Sequence, residues 1–180
     1  MDAITISRFL PLVAIIIVFI AIKLTSTPRE VSRVAFAFCW IAGFLNLLVD
    51  IPEQHYGFWH YTVGYLIFGF PIDLYISVCL VVGIALPLVY WRLKSFHKKM
   101  VTPFLIILPF YFLLQDYVLI RATGYSIVVF DSPYWWLADF PSLCVILYGT
   151  LFVFSVSLRH KNNFWKTWYL LQLSTRNLQF

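Results

Sequence analysis

An all-α integral membrane protein is predicted: five transmembrane helices in a tandem-repeat-like bundle, followed by a C-terminal interfacial amphipathic helix. Three features of the sequence predict it. The 180-residue chain is 62% hydrophobic and only 12% charged, where a soluble domain carries roughly 25% charged residues. Its apolar runs reach the about 20 residues that a bilayer crossing needs. Its Lys and Arg residues gather in short segments between those runs, as membrane orientation demands. That grouping accounts for the net charge of +5 without a nucleic-acid partner, and none is expected. The length is expected to hold a single membrane domain, 1–180.

The first apolar run covers 4–24, with Arg8 and Lys23 placed to snorkel to an interface. No cleavage site of small residues follows it, so it is expected to stay attached. Pro28 stops this helix, and Ser32 is a candidate cap for the next, over 34–51. Between Tyr56 and Trp91 the charge-bearing side chains are His60 and Asp73. One helix over that stretch would be about 54 Å long, far more than a bilayer core. A break is therefore expected at Gly64, Gly69 or Pro71, with an aromatic interfacial or re-entrant segment at 56–66 and a third span at 68–91. A basic loop, Arg92 to Lys99, leads to a fourth span at 101–120, and a fifth is expected at 137–158. In the tail, Phe164, Trp165, Trp168 and Leu171 share one helical side near Lys161 and Lys166, which predicts a surface helix over 162–175. Cys39, Cys79 and Cys144 lie inside apolar runs with no short spacing between them, and read as buried free thiols.

Candidate chemistry sits at the ends of the spans. Asp50, Asp73, Asp116 and Asp139 fall at or just within one end of four successive runs. Carboxylates there are expensive in hydrocarbon and usually face a bundle interior. Asn46 lies one turn before Asp50 on the same helical face. The passage is duplicated. Leu47-Leu-Val-Asp50 leads to Gly57-Phe-Trp-His-Tyr61 and Gly69-Phe-Pro-Ile-Asp73, and Leu113-Leu-Gln-Asp116 leads to Gly124-Tyr125, Tyr134-Trp-Trp136 and Asp139-Phe-Pro141. Repeats over 34–91 and 101–158 are expected, with a site where they meet. His55 and His60, with Asp50 and Glu53, match no tight metal-binding spacing. Neither a metal nor a cofactor is expected, since phosphate-cradling loops, dinucleotide fingerprints and Cys-x-x-Cys pairs do not occur.

At Asp50, Gly57–Tyr61 and Gly69–Asp73 the chain resembles the lycopene-cyclase domain of carotenoid cyclases, and more loosely the small integral-membrane terpene cyclases. The resemblance covers about residues 40–90 well and 105–155 weakly. The family's paired acids after proline are here reduced to Pro71-Ile72-Asp73, and Pro141-Ser-Leu-Cys144 has none. The resemblance implies tandem helical repeats and cofactor-independent cyclisation or isomerisation of an isoprenoid. Asp50, Asp116 or Asp73 would give the proton. Asn46, Trp59, Tyr61, Trp135, Trp136 and Asp139 would line the substrate, the aromatic faces holding a carbocation. The competing expectation is a non-enzymatic membrane subunit or lipid-binding partner, homo- or hetero-oligomeric, whose acidic aromatic end docks another chain.

Eleven of the thirteen Lys and Arg residues lie in the 23–33 link, the 92–99 loop or the tail, which five spans put on one side. The positive side is cytoplasmic, so the N-terminus is expected outside and the C-terminus inside, in the plasma membrane of a prokaryote. In a variant without native cysteines, Ser126→Cys should label from outside with an impermeant thiol reagent, and Ser95→Cys only after permeabilisation. The reverse pattern would invert the topology.

Overall fold

The computed structural model describes the backbone of residues 3–62, 66–67, 70–122 and 128–176, and the side chains of 8–62, 71–118 and 128–160. Helix α1 (Ala3–Thr25) is followed by α2 (Arg29–Phe38) and α3 (Trp40–His55). Strands β1 (Trp59–Tyr61), β2 (Leu66–Ile67) and β3 (Phe70–Pro71) then precede α4 (Ile72–Leu80). A π-helical turn, Val81–Ala85, joins α4 to α5 (Leu86–Phe96). After a 3₁₀ turn come α6 (Val101–Ala122), β4 (Val128–Phe130) and α7 (Trp135–Arg176). Among the described residues, five helical units are long and apolar enough to cross a membrane: Arg8–Thr25, Arg29–His55, Ile72–Phe96, Lys98–Val118 and Trp135–His160.

Several boundaries differ from those expected, for local reasons. Pro28 sits in extended backbone (φ −57°, ψ 146°) directly before α2. Helix therefore begins at Arg29, and Ser32 lies inside it, its N–H bonded to the Pro28 carbonyl at 3.1 Å rather than acting as a cap. The third unit begins at Ile72 instead of 68, because Phe70–Pro71 is paired as a strand with Leu66–Ile67. Pro141 falls inside α7, which has already started at Trp135, whereas Pro71 does stand immediately before α4. The fold is mostly helical, as expected, with short strands added. Within the stretch 56–66, β1 runs antiparallel to β4 with Trp59 opposite Phe130 and Tyr61 opposite Val128. Gly64, Gly69 and the Gly124-Tyr125 turn lie outside the described residues. Helix α7 continues without interruption through Arg176, and the expected one-sided aromatics of the tail lie outside the described side chains. The three cysteines are free but only partly buried.

Helix α1 packs along α4, α3 lies between α4 and α7, and α6 packs on α7. Two apolar clusters fill the end of the bundle away from the strands. One joins Val18, Val34, Ile84, Leu88 and Phe154, the other Ala42, Leu86, Leu108, Leu147 and Leu151. Two backbone irregularities meet between them. The break between α2 and α3 falls at Cys39, and the π-helical turn places Gly83 against it, so close that a Cβ on Gly83 would come within 2.4 Å of the Cys39 carbonyl oxygen. A π turn shifts the register of a helix, and here it leaves room for that crossing.

Gly83→Ala is therefore expected to cost about 1–3 kcal/mol, the usual penalty of overpacking, because backbone cannot yield. At Gly149 the nearest atom to an added Cβ is Leu45 Cδ1, 2.8 Å away at the end of a flexible side chain. There the lower unfolded-state entropy of Ala offsets the contact, and Gly149→Ala should be close to neutral. Thermal unfolding in a neutral detergent compares them, and equal effects would show that the Cys39 crossing is not tight.

Candidate functional site

Five helices each contribute one stripe to a single cavity of about 450 Å³. Helical spacing is visible in every stripe: Leu10, Val13, Ala14 and Ile17 on α1; Asn46, Val49, Asp50 and Glu53 on α3; Phe112, Gln115 and Asp116 on α6. Leu74, Ser77 and Val78 continue into the π turn on the third unit, and Asp139, Ser142, Leu143 and Ile146 form the stripe of α7. From Asp139 to Leu147 the stripe descends about 12 Å at 1.5 Å per residue. The walls are mostly aliphatic, yet four carboxylic acids face the same space: Asp50, Glu53, Asp116 and Asp139.

Asp50 is the best-held of these acids. It is 4% exposed, and its Oδ2 accepts hydrogen bonds from Asn46 Nδ2 (2.9 Å), the Tyr61 hydroxyl (2.8 Å) and the Tyr75 hydroxyl (2.6 Å). Three donors fill that oxygen, so an acid proton on Asp50 belongs on Oδ1. Burial, reinforced by the charge of Asp50, pushes the Tyr61 phenol well above its ordinary pKa, so Tyr61 stays a donor throughout the neutral range. Glu53 is 6% exposed. Its Oε1 accepts the Ser142 hydroxyl, which ties α3 to α7, while its Oε2 is buried without a partner. One oxygen of Asp139 is buried and unpartnered as well. Asp139 and Asp50 lie within electrostatic reach of both Glu53 and Asp116.

Local sequence explains how the lid over this cluster forms. Helix α3 ends at His55, and two residues on, Gly57 takes a left-handed φ of 70°. The Phe58 N–H bonds to the Glu53 carbonyl and the Gly57 N–H to that of Gln54, the paired bonds of a Schellman cap. This reversal sends β1 back across the cavity, where it pairs with β4. The N–H groups of Asp131 and Ser132 extend the pairing to the Phe58 carbonyl. His60 Nδ1 meets Asp131 Oδ2 at 2.8 Å on the outer face. Beneath it, Phe130 stacks on Trp135 with ring centroids 4.0 Å apart.

Of the residues expected from sequence, Asp50, Asp116, Asp139, Asn46, Trp59 and Tyr61 are brought together on the cavity wall. Asp73, Trp135 and Trp136 are not. Asp73 keeps one oxygen buried and unpartnered, Trp135 stacks on Phe130, and Trp136 is exposed. Glu53, Ser142 and Tyr75 belong to the cluster and were not anticipated there. Glu53 follows Asp50 by three residues, a spacing that marks one helical face. Among the described residues, no three His, Cys, Asp or Glu side chains group to hold a metal ion. Comparison with protein-family models, with curated proteins and with solved structures finds no match to this chain.

The mouth of the cavity is marked by residues that both line it and are exposed: Val13 (50%) and Ile17 (39%) on α1, and Gln115 on α6. Helix α1 packs on α4 and α6 on α7, and neither packs along the other. The mouth thus opens on the apolar flank of the bundle.

The His60–Asp131 pair is substantially exposed, so Asp131→Asn should change stability by less than about 1 kcal/mol in thermal unfolding. A larger loss would make this pair a principal fastener of the lid.

Proposed function

We propose that the chain is a cofactor-independent integral-membrane cyclase or isomerase that protonates an isoprenoid substrate from a buried carboxylic acid. The observation that carries this reading is the cavity itself: acids gathered on a wall that is otherwise mostly aliphatic and aromatic, with an exposed edge on the apolar flank. The outer faces of the helices support membrane insertion, since Phe19, Leu24 and Phe152 are each more than 60% exposed. Such a surface suits hydrocarbon rather than water. In the bilayer the mouth would admit a lipid-soluble polyene directly.

The chemistry needs no external reagent. A carboxylic acid adds its proton to an alkene, leaving a tertiary carbocation and a carboxylate. An internal alkene attacks the cation and closes a ring, and loss of a neighbouring proton to the carboxylate restores the acid. Substrate and product are isomers. Glu53 and Asp139 are suited to donate, because each keeps an oxygen that is not shared with a protein donor. Asp50, with Oδ2 filled by three donors, is suited to steady charge as the proton leaves and returns. Asp116 faces them from α6. The rings of Trp59, Tyr61, Phe112 and Phe130 line the space where the cation forms. This reading agrees with the resemblance at Asp50, Gly57–Tyr61 and Gly69–Asp73.

A second reading, a docking subunit, draws on the exposed aromatic rim of Tyr56, Tyr134 and Trp136. Glu53→Gln, Asp139→Asn, Asp50→Asn and Asp116→Asn separate the two. Loss of a general acid should lower polyene conversion about 10²–10⁴-fold in variants that still insert and unfold cooperatively, with Asp131→Asn unaffected. Variants that shed a co-purifying chain and leave turnover untouched would favour docking. Full activity in all four would remove the acids from the mechanism.

A further inference from the structure

The cavity ends where it meets the packed interior. Val82, Ile146 and Leu147 line it and also belong to the buried cluster around Leu86, Leu108 and Leu151. These three side chains form its floor, and all three are buried. Towards α1 and α6 the wall is instead exposed, at Val13, Ile17 and Gln115. A chain lying inside is therefore stopped at the floor and able to project at the mouth.

The volume of about 450 Å³ limits how much of a chain can lie within. An apolar cavity of about 150 Å³ takes one benzene ring, a scale of about 25 Å³ for each carbon. At that density the cavity holds about 18 carbons, or roughly three to four isoprene units. A shorter chain leaves a void, and a void among packed side chains costs in proportion to its volume. A longer chain sends its surplus through the mouth into hydrocarbon. Lipid tails are as apolar as Leu or Val side chains, so that surplus gains nothing. A tetraterpene would keep less than half of its carbons inside, whereas a sesquiterpene or diterpene chain would be enclosed.

We infer that the cavity encloses one linear sesquiterpene or diterpene chain, its length limited by the floor at Val82, Ile146 and Leu147. The inference rests on the proposed function for the isoprenoid class, while the enclosed length rests on the cavity alone. It narrows that reading from isoprenoids in general to the chains that this space can fill.

The test uses the full chain in nanodiscs of phosphatidylcholine and a prenol series with one head group: geraniol, farnesol, geranylgeraniol, hexaprenol and octaprenol. Each is set at the same mole fraction of the bilayer, and native mass spectrometry counts the molecules bound per chain. Affinity should rise about tenfold or more with each unit added up to geranylgeraniol, as the void closes. Beyond geranylgeraniol it should stop rising. Val78 lines the cavity one turn above Val82, so Val78→Phe fills about 100 Å³ of the space at the same density. In that variant the rise should stop at farnesol. Phe152 is 69% exposed and outside the lining, and Phe152→Ala should leave the profile unchanged. A wild-type series that is flat, or that keeps rising to octaprenol, would overturn the inference whether or not any variant folds. So would a Val78→Phe protein that unfolds cooperatively and keeps the wild-type profile. The expected profile without conversion of any polyene would sink the cyclase reading alone. Conversion together with affinity that climbs through octaprenol would sink this inference alone.

Discussion

One carboxylate oxygen, Asp50 Oδ2, is the constraint on which the arrangement of this bundle turns. Its three donors come from three places: Asn46 one turn earlier on α3, Tyr61 on the lid strand and Tyr75 on α4. A hydrogen bond to a charged acceptor contributes about 1.5–3 kcal/mol, and leaving such a group buried and unmatched costs at least as much. Each donor must therefore be delivered to one point. For Asn46 helical geometry suffices. Tyr75 requires α4 to lie beside α3, and Tyr61 requires the chain to reverse after His55 and return over the cavity. The cap at Gly57 provides that reversal within two residues.

The second half of the chain reaches the same space differently. Ser142 donates to Glu53, so α7 is tied to α3 by a bond parallel in role to that of Tyr75. Asp116 arrives on α6, within electrostatic reach of Tyr61 on the lid. The halves are thus alike in where their acids fall but unlike in how those acids are held. This inequality gives chemically similar groups different work: a fully matched acid can steady charge, while a partly matched one can exchange a proton with a ligand.

How much of this was legible in the sequence depended on the range of the interaction. Five apolar helical units, and Asn46 one turn from Asp50, follow from local spacing. Glu53 shares that spacing, but its neighbours His55 and His60 point to metal chemistry instead. Ser142 carries no such signal, because Pro141-Ser-Leu-Cys144 lacks the acids found in related motifs. The strand pair was hidden for a different reason. Trp59-His-Tyr61 and Val128-Val-Phe130 are too short to read as strands, and each becomes one only against the other, across the length of two helices. Trp135 reads in sequence as a wall of the cavity, yet it stacks on Phe130, five residues earlier, and on Tyr117 of α6, contacts that make it a support. The π turn answers the close approach of Cys39, which no local pattern records.

The closures of the cavity bear on what can enter it. At one end the lid is held by backbone pairing, by Phe130 on Trp135 and by the outer His60–Asp131 contact. Towards the other end, the clusters around Leu88, Phe154 and Leu147 leave the bundle packed. Among the described residues, the exposed edge of the cavity is the flank between α1 and α6, bordered by Val13, Ile17 and Gln115. A ligand arriving over the lid would disturb Tyr61, and with it a hydrogen bond to Asp50. One already dissolved in hydrocarbon could pass the flank and leave that network intact. Under the proposed membrane setting, the bundle would therefore select its ligand first by the phase it comes from. The acids would act only on molecules that have passed that test.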